Sequence, residues 1–313
     1  MTRVVVTGAA GFIGSHLCEE LLARGEDVTG IDCLTDYYDP ERKRANLARA
    51  GGAGLSFVAA DLAEAPLEPL LEGARVVYHL AGQPGVRTSF GDDFALYASR
   101  NIVATQRLLE AMTRVGVPRL VFASSSSVYG GTNAPATEDT KRAPVSPYGL
   151  TKSACEDLIE VYRRTTGLSA TALRYFTVYG PAQRPEMAFA SFIESILSER
   201  PLTLYGDGTQ TRDFTYVGDA VAATLAAAER GSRPVYNVSG GGRATILEVI
   251  GLIERLTGRR AVIHRHPGAR GDPPHTQADL GAAQSDLDYR PTTSLEVGLE
   301  RQIAAATGAR PDR

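Results

Sequence analysis

Short runs of β-branched residues alternate with longer amphipathic stretches through the first half of the chain. Apolar residues recur every two positions in a strand and about every 3.6 positions in a helix, so their spacing distinguishes the two. Because strands and helices alternating at this spacing form crossover units, we expect a parallel sheet covered on both faces. The pattern predicts strands at 3–7, 27–31, 55–59, 75–80, 119–123 and 169–175, and helices at 12–24, 94–115 and 148–166.

The pattern loosens after about residue 181. Helices are predicted at 188–199, 217–229, 246–257 and 295–306, separated by loops rich in glycine and proline. We therefore expect a doubly wound α/β domain followed by a smaller mixed α/β domain. The predicted division is 1–178, rejoined by part of 213–237, and 179–313.

Composition excludes several classes of protein. The 313 residues carry 33 Lys plus Arg against 36 Asp plus Glu, a net charge of −3, so we do not expect a nucleic-acid partner. The cysteines, Cys18, Cys33 and Cys155, are too far apart for a disulfide framework or a zinc site. Because no stretch approaches about 18 apolar residues, no membrane association is expected. We predict a soluble cytoplasmic protein.

Three glycines, Gly8, Gly11 and Gly14, lie where the first predicted strand meets the first helix. The first permits a tight turn, the second lets the backbone approach a pyrophosphate, and the third allows helix and strand to pack closely. Phe12 and Ile13 open the helix, whose amino end attracts phosphate. The strand-to-helix context predicts a dinucleotide-binding Rossmann domain rather than an ordinary turn.

An acidic residue at the end of the second strand selects the cofactor. Asp32 lies 18 positions after Gly14, where a carboxylate accepts from both ribose hydroxyls and repels a 2′-phosphate. We therefore predict NAD rather than NADP, although an acid can also simply cap a strand end. Further cofactor contacts are expected after the third and fourth strands, at Asp61, Leu62, Leu80, Ala81 and Gly82.

Tyr148 and Lys152 lie at positions i and i+4 of a predicted helix, and therefore on one face. A free phenol is a poor base at neutral pH, but a neighbouring ammonium and a positively charged nicotinamide favour the phenolate. The alternative is an exposed pair without function. The dinucleotide motif, and the presence of only three lysines in the chain, favour a catalytic pair.

Four consecutive serines, 124–127, follow the fifth predicted strand. Ligands of open parallel sheets bind at the carboxyl ends of the strands, where serine hydroxyls can contact substrate oxygens. Serine is also common in turns, so the run alone is weak evidence.

Together, the three glycines, Asp32, Ser125, Tyr148 and Lys152 resemble the extended short-chain dehydrogenase/reductase family over essentially the whole chain. The resemblance implies Ser125, Tyr148 and Lys152 as catalytic residues, and we also expect Tyr175 at the cofactor. Helices 94–115 and 148–166 are expected to form a homodimer interface.

Segments 36–40, 174–181 and 184–188 resemble UDP-glucuronate 4-epimerases, and 206–214 resembles enzymes that modify nucleotide sugars. In those enzymes the arginine matching Arg212 contacts the diphosphate. Arg184, Arg212 and Arg270 are our candidates for the UDP diphosphate, because guanidinium groups bind phosphate oxygens in a fork. Asp272 is the candidate for a ribose hydroxyl.

The serine run distinguishes epimerases from related enzymes. Similar dehydratases carry an Asp-Glu pair after the catalytic hydroxyl, and similar decarboxylases a Glu at the position of Ser127. Here Ser126 and Ser127 are neutral, which leaves hydride return to a 4-keto sugar. We expect UDP-glucuronate 4-epimerase activity, with UDP-glucose or UDP-N-acetylglucosamine epimerase, UDP-glucuronate decarboxylase and a non-enzymatic NAD sensor as alternatives.

A 4-keto glucuronate is a β-keto acid that loses CO₂ when its carboxylate aligns with the carbonyl. We expect hydroxyls to hold the carboxylate out of that alignment, from Ser125, Ser126, Ser127 and Thr177. Thr177 replaces the Asn of similar UDP-galactose epimerases, which favours an acidic sugar. His264 and His266 alternate on a predicted strand, but without a third ligand we expect no metal.

Overall fold

The structure is a computed structural model that describes residues 3–51, 54–132, 134–268 and 270–308. Seven parallel strands form one sheet in the order β11-β6-β5-β4-β1-β2-β3. The strands are β1 Arg3–Thr7, β2 Asp27–Asp32, β3 Ser56–Ala59, β4 Val76–His79, β5 Arg119–Ser125, β6 Ser169–Tyr175, β7 Val178–Tyr179, β8 Leu202–Tyr205, β9 Thr211–Asp213, β10 Thr215–Tyr216, β11 Val235–Val238, β12 Arg243–Thr245 and β13 Ile263–His266.

Helices cover both faces of this sheet, which confirms the predicted α/β fold class. The predicted helix 94–115 is not α-helical throughout, because residues Ala98–Val103 within it form a π-helical segment. The helices are α1 Phe12–Ala23, α2 Pro40–Ala50, α3 Glu68–Leu71, α4 Phe94–Tyr97, α5 Ala104–Val115, α6 Pro147–Thr166, α7 Ala188–Leu197, α8 Val217–Arg230, α9 Ile246–Thr257, α10 Gly281–Leu287 and α11 Leu295–Thr307.

Strand β1 lies inside the sheet between β2 and β4, in parallel register with both. Its residues Val4, Val5 and Val6 are fully buried, because one face packs against α1 and the other against α5. A continuous run of valine therefore forms a strand covered on both sides. The carboxyl ends of β1, β4, β5 and β6 consequently meet along one edge, where the candidate site lies.

The later part of the chain contributes to two regions. Strand β11 pairs with β6 at the edge of the main sheet, and α8 packs against the same sheet. Strands β8 and β13 pair in parallel, and β9 with β12 antiparallel, beside α7, α9 and α11. Helix α8 and strand β11 thus lie against the main sheet. The division into domains stays a prediction.

Candidate functional site

The glycine-rich turn between β1 and α1 has little space for side chains. Gly8 has a φ of +73°, and a Cβ there would lie 2.7 Å from the backbone nitrogen of Ala81. A Cβ on Gly14 would lie 2.1 Å from the carbonyl oxygen of Gly8. Gly11, at the N-cap of α1, provides no side-chain cap, and the first turn carries no acidic residue. These features fit a phosphate group bound at the amino end of the helix.

Asp32 faces this turn from the end of β2. Its carboxylate accepts hydrogen bonds from the backbone nitrogens of Leu34, at 2.8 Å, and Ala10, at 3.2 Å. Burial raises the pKa of Asp32, although these bonds and the nearby Lys43 oppose that shift. The side chain is held by the backbone in the position where a ribose-binding acid is expected.

Lys43 is buried although its sequence neighbours are charged. The run Arg42, Lys43 and Arg44 is typical of an exposed helix face, but Lys43 is only 5% exposed. Its ammonium donates to Thr35 Oγ1 at 2.9 Å and lies 4.9 Å from the ring centroid of Tyr38. Helix α2 turns this position inward toward Asp32, which the charges of its neighbours concealed.

The other predicted cofactor residues differ in accessibility. Asp61 follows β3 and accepts from the backbone nitrogen of Ala63 at 2.8 Å. The side chains of Leu62 and Phe12 are buried in the core, whereas Leu80, Ala81 and Ile13 are partly exposed.

Tyr175 is largely buried. Its side chain is 8% exposed, and its hydroxyl lies 2.6 Å from Thr224 Oγ1 of α8. Burial raises the pKa of this phenol. A role of Tyr175 at the cofactor stays a prediction.

The amino end of α6 approaches the serine turn. Ser146 caps the helix by accepting from the backbone nitrogen of Gly149 at 3.1 Å. A Cβ on Gly149 would lie 2.5 Å from the carbonyl oxygen of Ser127. Glycine at this position therefore allows the first turn of α6 to approach Ser127 closely. Tyr148 lies in the same turn and is partly buried.

Lys152 follows one turn later and is 5% exposed. Its ammonium donates to the carbonyl oxygen of Ala123 at 2.8 Å. A Cβ on Gly82 would lie 3.4 Å from the same nitrogen, so the end of β4 is also adjacent. The structure thus brings the predicted lysine to the strand ends that carry the cofactor residues.

Asn101 lies in the π-helical segment and was not anticipated. Its side chain donates to Thr151 Oγ1 at 2.9 Å and accepts from the backbone nitrogen of Gln83 at 2.7 Å. These bonds connect α6 to the loop after β4. No sequence signal identified Asn101, because its orientation depends on the local winding of the helix.

The serine turn is ordered by its own backbone. Ser125 Oγ accepts from the backbone nitrogen of Ser127 at 3.1 Å, and Ser126–Val128 forms a single 3₁₀ turn. An open cleft with a volume of about 170 Å³ adjoins this turn. Its lining includes Ser126, Ser127, Ser146, Thr177, Arg212 and Asp272.

The three candidate arginines have different partners. Arg212 lines the cleft and forms an ion pair with Asp272, and its side chain is 11% exposed. Arg270 lies over the ring of Phe90, 4.4 Å from its centroid. Arg184 is paired with Glu186 at 2.6 Å. Of the three, only Arg212 is among the residues that line the cleft.

Arg184 lies on the side of the site that faces α2. Burial raises the pKa of Tyr38 to about 12, an effect that the charge of Arg184 opposes and that of Asp32 increases. Arg184 therefore acts electrostatically on Tyr38. The diphosphate contact of Arg184 stays a prediction.

A further arginine at the cleft was missed. Arg87 follows Val86, which lines the cleft, and its guanidinium lies 4.0 Å from the ring centroid of Tyr205. It also approaches Asp272 to 3.5 Å. Asp272 thus faces two guanidinium groups, one on each side of its carboxylate.

Among the residues that the structure describes, no group of three or more His, Cys, Asp or Glu side chains is arranged to hold a metal ion. None of the described helices has the length and apolar character needed to cross a membrane.

A parallel sheet whose strand ends carry a glycine-rich turn, a buried acid after β2 and a Tyr-Lys pair is typical of a dinucleotide-dependent α/β enzyme. The model of the NAD dependent epimerase/dehydratase family matches residues 4–239, and the chain belongs to that family.

Individual proteins agree with this assignment. A Bacillus subtilis (strain 168) protein named an uncharacterized UDP-glucose epimerase is 45% identical over 96% of this chain and 97% of that protein. The UDP-glucuronate 4-epimerase of Thermodesulfobacterium geofontis (strain OPF15) is 39% identical over 97% and 95%. The crystal structure of Bacillus cereus UDP-glucuronic acid 4-epimerase with UDP-glucuronic acid and NAD has a TM-score of 0.94 at 42% identity, covering 98% of this chain and 99% of that one.

Proposed function

We propose that this protein interconverts UDP-glucuronate and UDP-galacturonate by epimerisation at C4 of the sugar. The observation that carries the proposal is the cleft at the carboxyl ends of β5 and β6. Neutral hydroxyls of Ser126, Ser127 and Thr177 line one part of it and Arg212 another. That arrangement suits a sugar acid joined to a diphosphate, and the similar epimerases support the same reaction.

NAD is the cofactor of this family, and the residues present fit it. The uncapped amino end of α1 provides donors for a pyrophosphate, and Asp32 provides acceptors for ribose hydroxyls. When bound, NAD supplies a hydride acceptor that returns the same hydride, so the reaction has no net redox change. We expect the cofactor to remain bound through turnover.

Three side chains are proposed for catalysis. Tyr148 would remove the proton of the sugar 4-hydroxyl and later return it, with Ser125 bridging the two oxygens by hydrogen bonds. Lys152 would hold positive charge beside the phenolate and stabilise it. Its ammonium is already held on β5 by the carbonyl of Ala123.

The hydroxyl-lined part of the cleft has a second role. Ser126, Ser127 and Thr177 would donate to the sugar carboxylate and hold it out of alignment with the C4 carbonyl of the intermediate. Ser125 completes the set that we propose. Each hydrogen bond to a charged group contributes about 1.5–3 kcal/mol, so several donors can hold an anion without a cation.

A neutral UDP-hexose is the second candidate substrate. It is favoured by the relative that is 45% identical, which is named as a UDP-glucose epimerase. Hydroxyl groups in the cleft can also bind a neutral CH₂OH group. Decarboxylation is disfavoured, because Ser127 is neutral where similar decarboxylases carry a Glu.

The test incubates the purified protein separately with UDP-glucuronate and UDP-glucose and resolves the products by chromatography. We expect the C4 epimer of UDP-glucuronate as the main product, with little pentose. Tyr148→Phe is expected to lose activity, whereas Tyr162→Phe, on the same helix but bonded to Glu110, should keep it. Turnover of UDP-glucose alone, or near-normal activity of Tyr148→Phe, would contradict the proposal.

Control of the carboxylate is tested with Thr177→Val, which removes a donor while preserving side-chain volume. We expect a larger fraction of UDP-pentose among the products. Thr203→Val changes an exposed threonine of β8 and should leave that fraction unchanged. Equal pentose release from Thr177→Val and the unaltered protein would show that Thr177 does not hold the carboxylate.

We also propose a homodimer. The helical stretch 94–115 and helix α6 expose apolar side chains at Phe94, Leu96, Val103, Leu150 and Val161. Exposed apolar residues shared by two helices are typical of an interface. A cytoplasmic location is proposed as well, supported by the unpaired state of Cys18, Cys33 and Cys155.

A further inference from the structure

A buried ion pair lies behind the proposed active site. Glu156 and Arg174 are 7% and 4% exposed. Arg174 Nε donates to Glu156 Oε1 at 3.0 Å, and Arg174 Nη2 donates to Glu156 Oε2 at 2.7 Å. This bidentate geometry fixes the direction as well as the distance of the two groups.

The pair is connected to further chain segments. Ser124 Oγ donates to the Glu156 carboxylate, so the end of β5 is attached to it. Arg174 Nη1 donates to the hydroxyl of Tyr129 at 2.7 Å and to the carbonyl oxygen of Glu138 at 3.0 Å. Every nitrogen of the guanidinium therefore has a partner inside the protein.

Each of these residues is a short step from a residue of the proposed site. Glu156 lies one helical turn after Lys152 and two turns after Tyr148 on α6. Ser124 directly precedes Ser125, Tyr129 follows the serine turn, and Arg174 precedes Thr177 by three residues. The ion pair thus joins the three elements, α6, β5 and β6, whose ends carry the proposed chemistry.

We propose that Glu156 and Arg174 are positioning residues, which hold α6 against the ends of β5 and β6 so that Tyr148, Ser125 and Thr177 act on one sugar. The reaction concerned is that of the proposed function, on which this inference rests. The pair touches no substrate and acts only through the segments that it joins.

Stability alone does not explain a pair of this kind. Desolvation of two charges offsets much of their attraction, and apolar residues of similar volume often replace a buried ion pair without loss of stability. The relative positions of the joined segments do depend on the pair, because apolar side chains do not reproduce the three directed contacts on the carboxylate of Glu156. A misplacement of about 1 Å at a reacting group can lower a rate about 100-fold.

The experiment therefore replaces both charges together, in Glu156→Met/Arg174→Met. Removing one partner would leave the other buried and unpaired, which endangers folding. We expect a folded protein that retains NAD, with kcat lowered about 100-fold, KM changed less than about threefold, and a larger pentose fraction. The matched control is Glu26→Met/Arg75→Met, an ion pair at the amino ends of the strands, which should keep kcat.

A crystal structure of the double variant provides the readout that does not depend on substrate. We expect the ends of β5 and β6 to shift relative to Tyr148. Unchanged positions of Ser125 and Thr177, or a kcat within twofold of the unaltered protein, would overturn the inference. If the double variant does not fold, Glu156→Gln, which keeps the shape, is measured in the same way.

Failure of the proposed function gives a different result. In that case the unaltered protein itself does not epimerise UDP-glucuronate, and the variants are compared on UDP-glucose. If neither sugar is turned over, the positions of Ser125 and Thr177 in the crystal structure decide the role of the pair.

Discussion

The ammonium of Lys152 donates to the carbonyl oxygen of Ala123 at 2.8 Å and lies 4.7 Å from the ring centroid of Phe122. Both partners belong to β5, the strand that ends in the serine turn. We predict that Lys152→Met lowers kcat about 100-fold or more, because the phenolate loses its cation. Turnover assays with the proposed substrate measure this effect.

Lys141 provides the control for that prediction. It is exposed, so Lys141→Met removes the same charge far from any buried contact. We expect its turnover to match the unaltered protein. Similar losses in the two variants would mean that the effect of Lys152 is a general effect of net charge.

Replacing glycine by alanine is expected to have opposite effects on stability at two helical positions. In Gly14→Ala the new Cβ would lie 2.1 Å from the carbonyl oxygen of Gly8, so we expect lower stability and loss of bound NAD. In Gly251→Ala the Cβ meets nothing within 4 Å, and the helix should gain about 0.5–1 kcal/mol. Cofactor content after denaturation and urea unfolding measure the two effects.

Arg212 and Arg270 are predicted to differ in their effect on substrate affinity. Arg212 lines the cleft, so Arg212→Met should raise KM for the UDP-sugar roughly 10- to 100-fold. Arg270 lies over Phe90, and Arg270→Met should have a smaller effect. Initial-rate kinetics compare the two variants. A larger effect of Arg270→Met on KM would indicate that Arg270 binds the diphosphate.

His79 is predicted to make the protein sensitive to acid. It is fully buried between Thr7 and Thr105, and burial, with the charge of Lys152, lowers its pKa to about 3. Between about pH 6.5 and 3 only the unfolded chain takes up the proton. The contribution of His79 to the free energy of unfolding is therefore complete above pH 6.5 and decreases as the pH falls. At pH 5 the free energy of unfolding is lower by about 2 kcal/mol.

Urea unfolding at pH 7 and pH 5 measures this loss, with His79→Gln as the comparison. We expect the variant to lose about 2 kcal/mol less between the two pH values, because glutamine does not titrate. An equal decline in both proteins would assign the acid sensitivity to other groups.

The proposed dimer predicts a difference between two exposed valines. Val161 on α6 is 53% exposed, and Val262, before β13, is 51% exposed. Val161→Glu is expected to give a monomer because it places a charge in the interface, whereas Val262→Glu should remain a dimer. Light scattering after size-exclusion chromatography distinguishes them. A monomeric unaltered protein would contradict the proposal.

The sequence by itself was sufficient for the fold class and for a proposal of the site. Six strands were predicted from short apolar runs, because strands covered on both faces require them; of these six, the edge strand β3 has no buried residue. The glycine turn, Asp32, Ser125, Tyr148 and Lys152 were identified because backbone clearance and helical spacing are local properties. Short spacing along one strand or helix places such residues without knowledge of distant contacts.

Only the tertiary structure decided how distant segments meet. It placed Arg212 at the cleft, paired Arg184 with Glu186 and set Arg270 over Phe90. It also turned the ring of Tyr175 into the core. It also buried Lys43 and joined Glu156 to Arg174. These outcomes depend on which faces of different elements pack together. A sequence does not show whether the end of a long charged side chain contacts solvent, a partner or a ligand.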